Sequence, residues 1–299
     1  MKAGPLQRGY PRGALWSAVL LALAVCGGLL ICDFGSGSSP SVQQLRQAFV
    51  TAVVPPPPAG PPRTAGWHPT LLPLEHRRWV HDAVREPVPS IVSLPRRQLS
   101  MELAIGALLA GIEGDIVECG VALGGTSILL AKVLEKYDPE AKRLLWAADS
   151  FDGLPAPTQE DSAGGLLTGK RGEFNSSELV FQANLLRWGV LQRRVRVLKG
   201  WFNESLPGSG IQRIAFLRLD GDLYVSTMDP LEALYDRLSP GALVYVDDYF
   251  SFNGCRKAVD EFRAKRGITG PLHWQHISDT GFDRPANSSG WEAVWWMKT

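Results

Sequence analysis

Acidic residues stand directly after two short apolar segments of this sequence, where they could act together on one ligand. Asp220 and Asp222 follow the segment IAFLRL, and Asp247 and Asp248 follow the segment ALVYV. Carboxylates held close together repel each other, so they protonate, move apart or bind a cation. Oxygen ligands alone suit a hard divalent ion such as Mg²⁺. Loop capping by aspartate is the alternative interpretation, and it explains one such turn more readily than two.

A glycine-rich turn and a further aspartate follow two earlier apolar segments. The segment DIVECG ends at Gly120 and continues as VALGGTS, and the segment RLLWAAD ends at Asp149. Small residues let the main chain approach a ligand closely, and the helix that follows offers free N–H groups, so Gly124 and Thr126 are expected at a cofactor. The turn has neither the Walker pattern nor the GxGxxG pattern. A carboxylate at the position of Asp149 suits a ribose diol, which predicts a nucleoside site without a pyrophosphate.

Strands alternating with helices are predicted to position these residues. In a parallel sheet, ligands bind beyond the carboxyl ends of the strands, near the point where the strand order reverses. The alternation predicts a mostly parallel sheet with helices on both faces. The tryptophans Trp291, Trp295 and Trp296 predict an apolar edge strand. The predicted strands are 115–120, 143–149, 194–198, 214–219, 243–246, 272–277 and 291–297, and the predicted helices are 74–86, 97–112, 124–137, 178–188, 227–238 and 254–266. In the helix 227–238, Thr227 is expected to cap the first turn and Pro230 to lie within it.

Composition excludes several classes of protein. The 299 residues leave room for one large domain or two small ones. Lys plus Arg is 31 and Asp plus Glu is 30, so no strong field attracts nucleic acid. The 4 cysteines show neither a CxxC pair nor Cys/His metal spacing, which argues against a disulfide framework or a zinc site.

The N-terminal region is predicted to lie outside the catalytic fold. Residues 14–32 carry no charge and follow Lys2, Arg8 and Arg12, which predicts a transmembrane signal anchor with a cytosolic tail at 1–13. A cleaved signal peptide is the alternative. Residues 33–66 form a Pro/Gly/Ser-rich stalk, and residues 67–299 form the catalytic domain. This layout predicts a single-pass type II membrane protein of the Golgi with a lumenal catalytic domain, or alternatively a protein of a bacterial inner membrane. N-x-S sequons at Asn175, Asn203 and Asn287 permit a lumenal location without deciding it.

Five segments of the sequence resemble the macrocin O-methyltransferase family, the metal-dependent sugar methyltransferases best known from macrolide antibiotic pathways. The likeness runs from about residue 90 to the C-terminus and does not cover residues 1–66. The segments are IVECGVALGGTSILLA (116–131), AADSFDGLPAP (147–157), KGWFNESLP (199–207), LRLDGDLYVSTMDPLEALYDRLSPGALVYVDDYFSFNGCRKAVDEFR (217–263) and WWMK (295–298).

The resemblance implies a fold, two bound groups and a set of site residues. The fold is a Rossmann-like class I methyltransferase with a mostly parallel seven-stranded sheet. The cofactors are S-adenosylmethionine and Mg²⁺ or a similar cation, and the acceptor is a hydroxyl of a sugar or glycan. Asp220, Asp247 and Asp248 are implied as the metal ligands. Residues at the S-adenosylmethionine site are Glu118, Gly120, Asp149, Ser150, Phe151 and Trp201. The insert 156–178 and the tail 279–290 are expected to form the acceptor pocket, and a homo-oligomer is possible.

Methyl transfer requires that a hydroxyl oxygen be aligned with the methyl group and lose its proton. A metal held by the aspartates could lower the pKa of that hydroxyl. Asp220 or Asp222 is the expected proton acceptor, and His273 and His276 are candidates only if the C-terminal strands fold over the site. Three alternatives stay open: a glycosyltransferase that uses Asp220-Gly221-Asp222 to hold a nucleotide-sugar, a catechol-type O-methyltransferase, and a scaffold that has lost turnover.

Overall fold

A seven-stranded sheet carries the fold of the computed structural model, which describes residues 72–162, 169–190, 194–276, 282 and 291–299. The strand order is β3-β2-β1-β4-β5-β7-β6. The first five strands in this order run parallel, whereas β7 pairs antiparallel with both β5 and β6. The strands are β1 Asp115–Cys119, β2 Leu145–Asp149, β3 Val195–Lys199, β4 Ile214–Leu219, β5 Leu238–Val246, β6 His273–His276 and β7 Trp291–Met297. The predicted Rossmann-like, mostly parallel sheet is confirmed.

Helices precede the sheet and connect its strands. A short 3₁₀ helix, Tyr235–Arg237, links the seventh helix to β5. The helices are α1 Leu74–Ala83, α2 Leu94–Leu109, α3 Gly125–Tyr137, α4 Gln159–Ser162, α5 Glu178–Arg187, α6 Phe202–Ser205, α7 Tyr224–Leu234 and α8 Asn253–Lys265. The predicted helices occur in the predicted order, and most differ only at their ends.

The sheet separates two hydrophobic cores because successive strand residues point to opposite faces. Phe216 of β4 packs with α1, α2 and α3 on one face, while Leu217 packs with α7 and α8 on the other. The same alternation places Trp295 of β7 in the first core and Trp296 in the second. The expected covering of both faces by helices is therefore confirmed.

Helix α7 begins earlier in the chain than its sequence predicts. The predicted range was 227–238 with Thr227 as the cap, but the helix spans Tyr224–Leu234 and Pro230 lies inside it. The reason is a cap from elsewhere in the chain: the backbone N–H of Tyr224 donates to Oδ1 of Asp161 at 2.7 Å. Asp161 belongs to the short helix α4, so sequence around residue 224 could not reveal it.

The C-terminal strand that contains the tryptophans lies inside the sheet. The prediction that it would be an edge strand is therefore wrong. Trp295 and Trp296 are fully buried, and β7 has neighbours on both sides. β5 is also longer than predicted, because the Ser-Pro-Gly segment 239–241 continues the strand. Gly241 N–H donates to the carbonyl of Lys298 at 2.8 Å, which extends the β5–β7 pairing.

The predicted tail 1–13, anchor 14–32 and stalk 33–66 lie outside the described residues. Within the part of the chain that the structure describes, no helix has both the length and the apolar composition needed to cross a membrane.

Candidate active site

The strand order reverses between β1 and β4, and the candidate site opens at their carboxyl ends. Gly120 follows β1 with φ +90°, and a Cβ at this position would lie 1.8 Å from the carbonyl oxygen of Asp220. The backbone N–H of Asp220 in turn donates to the carbonyl of Cys119 at 2.9 Å. Glycine is therefore required at residue 120 for the two strand ends to lie this close.

A cavity of about 720 Å³ lies over these strand ends. Its walls come from the ends of β1, β2, β4 and β5, from the segment 89–96, and from the loops that contain Pro155, Glu173 and Trp201. Ten of the predicted site residues line it: Glu118, Gly120, Thr126, Asp149, Ser150, Trp201, Asp220, Asp222, Asp247 and Asp248.

Gly124 and Phe151 were also predicted at the cofactor, but neither lines the cavity. The ring of Phe151 is buried and packs against Phe181 with ring centroids 5.7 Å apart. Gly124 lies against the same phenylalanine, since a Cβ on residue 124 would approach its ring to 2.8 Å. Both residues thus pack against Phe181 and support the turn, and neither is part of the cavity wall.

Asp220, Asp247 and Asp248 form an acidic cluster, as their positions after neighbouring strands predicted. One carboxylate oxygen from each lies within 4.8 Å of the others. β4 and β5 are directly paired, and the N–H of Asp247 donates to the carbonyl of Leu219 at 2.9 Å. The pairing of these two strands is what brings the three side chains together.

Arg218, which the sequence analysis did not single out, lies beneath the acidic cluster. It is fully buried in the central strand β4. Nη1 lies 2.9 Å from Oδ2 of Asp220 and 3.2 Å from Oε1 of Glu118, and Nη2 lies 2.9 Å from Oδ1 of Asp247. The signal was present in the sequence, because an arginine within the apolar run IAFLRL requires buried partners.

Arg96 in the first turn of α2 is the second arginine at the cluster. Nη1 donates to Oδ2 of Asp247 at 2.9 Å and lies 3.4 Å from Oδ1 of Asp248. Nη2 donates to Oγ of Ser251 at 2.8 Å. Only the three-dimensional packing of α2 against β5 brings Arg96 here, so no local sequence pattern could have found it.

Burial and charge shift the pKa values of the acidic residues in different directions. Burial is the main reason that the pKa of Glu118 rises to about 7, although Arg218 and a 2.5 Å hydrogen bond from Ser127 oppose this rise. Burial and the neighbouring carboxylates also raise the pKa of Asp220 and Asp248. Burial acts in the same direction on Asp247, but Arg96, Arg218 and the hydroxyl of Tyr245 outweigh it, so that its pKa is lowered.

Asp222 has a strained backbone at the edge of the cluster. Its φ is +61°, an uncommon conformation for any residue except glycine, and its N–H donates to Oδ2 of Asp248 at 3.2 Å. Burial, followed by the charges of Asp220 and Asp247, raises the pKa of Asp222 to about 8. Asp222 lines the cavity, and its carboxyl group lies in a strongly negative environment.

At the other end of the cavity, the carboxylate of Asp149 bonds the loop after β1 and the loop after β2. Oδ2 accepts hydrogen bonds from the N–H groups of Val121 and Ala122 at 2.8 and 3.1 Å, and Oδ1 accepts one from Phe151 at 2.8 Å. These bonds hold the glycine-rich turn against the end of β2. Nearby, the hydroxyl of Thr126 is buried and has no hydrogen-bond partner among the described residues, although it lies in the cavity wall.

His273 and His276 do not line this cavity. They belong to β6, the edge strand beyond β7, and the ring of His273 stacks on Trp295 with centroids 5.5 Å apart. The condition that would have made them candidate bases, folding of the C-terminal strands over the site, is not met by β6.

Several curated proteins are similar to this chain. A tetracenomycin-C rhamnosyl 4'-O-methyltransferase of Streptomyces olivaceus is 41% identical over 62% of this chain and 71% of its own length. Mycinamicin III 3''-O-methyltransferase of Micromonospora griseorubida is 39% identical over 54% of this chain and 65% of its own. Demethyldecarbamoylnovobiocin O-methyltransferase of Streptomyces niveus is 41% identical over 54% and 62%, so the match spans less than two thirds of the last two relatives.

Two solved structures share the fold. The O-methyltransferase NovP superposes with a TM-score of 0.60 at 34% identity, covering 70% of this chain and 82% of its own. A calicheamicin methyltransferase superposes with a TM-score of 0.51 at 22% identity, covering 81% and 99%, which supports the fold alone.

The relatives also correct the predicted location. They come from Streptomyces and Micromonospora, bacteria that have no Golgi. The prediction of a Golgi type II membrane protein with a lumenal catalytic domain is therefore wrong. A hydrophobic segment before a Pro-rich stretch is not specific to that compartment.

The family assignment rests on a match over more than half of the chain. The family model described as Macrocin-O-methyltransferase (TylF) matches residues 94–282. This range includes the Gly120 turn, Asp149 and the whole acidic cluster. The chain belongs to the macrocin O-methyltransferase family and is an S-adenosylmethionine-dependent O-methyltransferase.

Proposed function

We propose that this enzyme methylates a hydroxyl group of a sugar or glycan, and that Asp220, Asp247 and Asp248 hold a divalent cation for the reaction. The observation that carries the proposal is the convergence of three carboxylates within 4.8 Å in the cavity that also contains the Gly120 turn. A cation site and a nucleoside-sized space thus lie side by side, as transfer between two bound molecules requires.

The charges around the cluster fit a bound cation of the Mg²⁺ type. Arg218 and Arg96 contact the cluster, but with Asp222 and Glu118 included five carboxyl groups surround these two guanidinium groups. The excess is negative, and after burial, which is the largest cause, it contributes to the raised pKa values of Asp220 and Asp248. All the donor atoms are oxygens, which suits a hard divalent ion.

The cavity also fits S-adenosylmethionine beside Gly120. Gly120 lines the cavity, and its missing Cβ lets the ends of β1 and β4 lie close together there. Oδ1 of Asp149 accepts one hydrogen bond and so can accept another from a ribose hydroxyl. The buried hydroxyl of Thr126 offers a polar contact that the described protein atoms leave unused.

Asp222 is the proposed proton acceptor. Burial and the neighbouring carboxylates raise its pKa to about 8, and a cation bound at the cluster would offset those charges, so that the carboxyl group of Asp222 is ionised and can accept the proton. A bound cation supplies Lewis acidity that lowers the pKa of the acceptor hydroxyl. S-adenosylmethionine supplies the methyl group, and the hydroxyl oxygen that takes it releases a proton. Asp222 lies in the cavity wall, and its N–H bond to Asp248 holds it beside the cluster. Asp220, the other candidate, is already paired with Arg218 at 2.9 Å.

The names of the relatives support a sugar acceptor. One is named for a rhamnosyl group, and the others for mycinamicin III and a novobiocin precursor. A catechol acceptor would also suit a metal and stays the second candidate for the acceptor. Family membership argues against the glycosyltransferase alternative, and the intact acidic cluster argues against the inactive scaffold. Glu173 and Phe174 of the insert 156–178 line the cavity, in keeping with a role at the acceptor, whereas the tail 279–290 lies almost wholly outside the described residues.

The acceptor class is tested by incubating the full chain with labelled S-adenosylmethionine, Mg²⁺ and two matched panels. One panel contains rhamnosides and other glycosides, and the other contains catechols. Label transferred to a glycoside supports the proposal. Label transferred only to catechols would overturn the sugar assignment while leaving the methyl-transfer assignment intact.

Replacement of Asp248 by asparagine tests the cation site. Asp248→Asn removes one ligand charge, and we expect turnover to fall by more than about a hundredfold, with a similar loss on treatment with EDTA that Mg²⁺ reverses. Asp247→Asn should lose activity too, but Asp247 also bonds Arg218 and Tyr245, so its effect mixes catalysis with folding.

Asp152→Asn is the matched control, because Asp152 is exposed in the neighbouring loop and does not line the cavity. It should keep nearly full activity. Activity of Asp248→Asn that equals the control, together with resistance to EDTA, would show that the reaction needs no cation at this site.

A further inference from the structure

The two arginines at the acidic cluster differ in how they reach it. Arg218 comes from inside the sheet, its side chain is 0% exposed, and it does not line the cavity. Arg96 comes from the first turn of α2, its side chain is 17% exposed, and it is part of the cavity wall. Arg218 is thus enclosed by the strands, whereas Arg96 approaches the cluster from the side of the cavity.

The hydrogen bonds of Asp247 determine which of its oxygens a cation could use. Oδ1 accepts from Nη2 of Arg218 at 2.9 Å and from the hydroxyl of Tyr245 at 2.5 Å. These two donors use both acceptor sites of that oxygen. Oδ2 is therefore the oxygen available to a cation, and it is the oxygen that Arg96 contacts.

Arg96 also extends toward the next ligand. Its Nη1 lies 3.4 Å from Oδ1 of Asp248, so one guanidinium nitrogen lies between two of the three carboxylates. A divalent cation bound to the same pair of oxygens would lie within a few ångströms of this nitrogen. Like charges at that separation repel strongly in a site of low dielectric constant.

We propose that Arg96 is an exchangeable counter-ion of the cation site, an inference that rests on the proposed function. Arg96 neutralises Asp247 and Asp248 while no cation is bound, and it leaves them when a divalent cation binds. The exchange lowers the apparent affinity for the cation, and it keeps the buried aspartates paired in the metal-free enzyme. It also links cation binding to the segment 89–96, which forms one wall of the cavity.

Calorimetric titration of Mn²⁺ alone into EDTA-treated full-length protein tests the exchange. Arg96→Gln removes the competing charge, so it should bind Mn²⁺ about tenfold more tightly than the unmodified chain. Arg96→Lys keeps a charge and should stay within about threefold of the unmodified chain. Equal affinity in Arg96→Gln would overturn the proposal, as would weaker binding, which would make Arg96 part of the cation site.

Arg213→Gln is the matched control, because it breaks an exposed arginine–glutamate pair with Glu113 at the amino ends of β1 and β4, opposite the strand ends that form the site. It should leave the Mn²⁺ affinity unchanged. Asp248→Asn distinguishes a failure of the proposed cation site from a failure of the proposed exchange of Arg96. If the unmodified chain and Arg96→Gln both fail to bind Mn²⁺, or if Asp248→Asn binds it as tightly, the cation site of the proposed function is wrong and the exchange falls with it.

Thermal unfolding gives a second readout that does not depend on activity. Without a cation, Arg96→Gln should unfold at a lower temperature than the unmodified chain, because two buried aspartates lose a partner. Saturating Mn²⁺ should close most of this gap, since Arg96 no longer contacts them in the bound state. If Arg96→Gln folds only when it is refolded with Mn²⁺, the result also supports the exchange, because the cation then replaces the missing charge. A gap that persists unchanged at saturation would show that Arg96 stays in place, which contradicts the exchange.

Discussion

Gly120 lies where two strand ends come closest, and its missing side chain decides how the site is built. Gly120→Ala would place a methyl group 1.8 Å from the carbonyl oxygen of Asp220, at a φ of +90° that alanine disfavours. We expect the free energy of unfolding to fall by more than about 2 kcal/mol and the affinity for S-adenosylhomocysteine to fall strongly. Chemical denaturation and calorimetry measure the two effects.

The control at this scale is Gly210→Ala. Gly210 has a similar φ of +79°, but an added Cβ would have no atom within 4 Å. Its substitution should cost only about 1 kcal/mol and leave cofactor binding intact. If the two substitutions had equal effects, the close approach of residues 120 and 220 would not matter.

At the level of single residues, the sequence predicts the acidic groups but not the groups that balance them. Asp220, Asp247 and Asp248 follow apolar segments, and that position alone indicated that they converge. The partners Arg96 and Tyr245 lie on an element far away in sequence or within a strand of ordinary composition. Their roles depend on which side chains face each other across packed elements, and no spacing rule in one chain records this.

Strand β4 contains the buried, charged residue Arg218 in the middle of the sheet. Its ion pairs link the stability of this strand to the site. Removal of Arg218 would leave Glu118, Asp220 and Asp247 buried without their common partner. We expect Arg218→Gln to lower the free energy of unfolding by about 3 to 5 kcal/mol, measured by urea denaturation without a cation.

Arg196→Gln provides the comparison, because Arg196 is exposed on the edge strand β3. Its loss should change stability by less than about 0.5 kcal/mol. A similarly small loss for Arg218→Gln would indicate that the carboxyl groups around it are protonated and need no counter-charge.

Among the elements, those with regular patterns were predictable and those fixed by distant contacts were not. β4 occurs with its predicted ends, because an apolar run bounded by polar residues defines a central strand. The start of α7 depends on Asp161, about sixty residues earlier in the chain, whose carboxylate caps Tyr224. β7 was identified as a strand, but its place between β5 and β6 is a property of the sheet rather than of its composition.

The whole molecule should become less stable as the pH rises from about 4.5 to about 7, in part because of Glu102 of α2. Burial raises the pKa of Glu102 to about 7, against a hydrogen bond from Gln98 that lowers it. Between the unfolded value of 4.5 and about 7, the folded chain retains a proton that the unfolded chain has lost, so a rise in pH favours unfolding. We expect Glu102→Gln to stabilise the protein by about 3 kcal/mol at pH 8 and by almost nothing at pH 4.

Urea denaturation across this pH range measures the effect, with Glu75→Gln as the control because the side chain of Glu75 is 79% exposed. Glu75→Gln should not alter the pH profile. A constant difference between Glu102→Gln and the unmodified chain at all pH values would show that residue 102 affects packing rather than proton binding.

The position of β7 has a consequence for the order in which the chain is made. β5 carries Asp247 and Asp248 at its end, yet one of its two neighbours is β7, which is synthesised only after α8 and β6. Until the ribosome has delivered residues 291–297, the outer backbone groups of β5 lack their partners and remain an open template for other strands. A nascent chain therefore exposes this edge of β5 until β7 arrives, and chaperones that shield such edges should act in that interval.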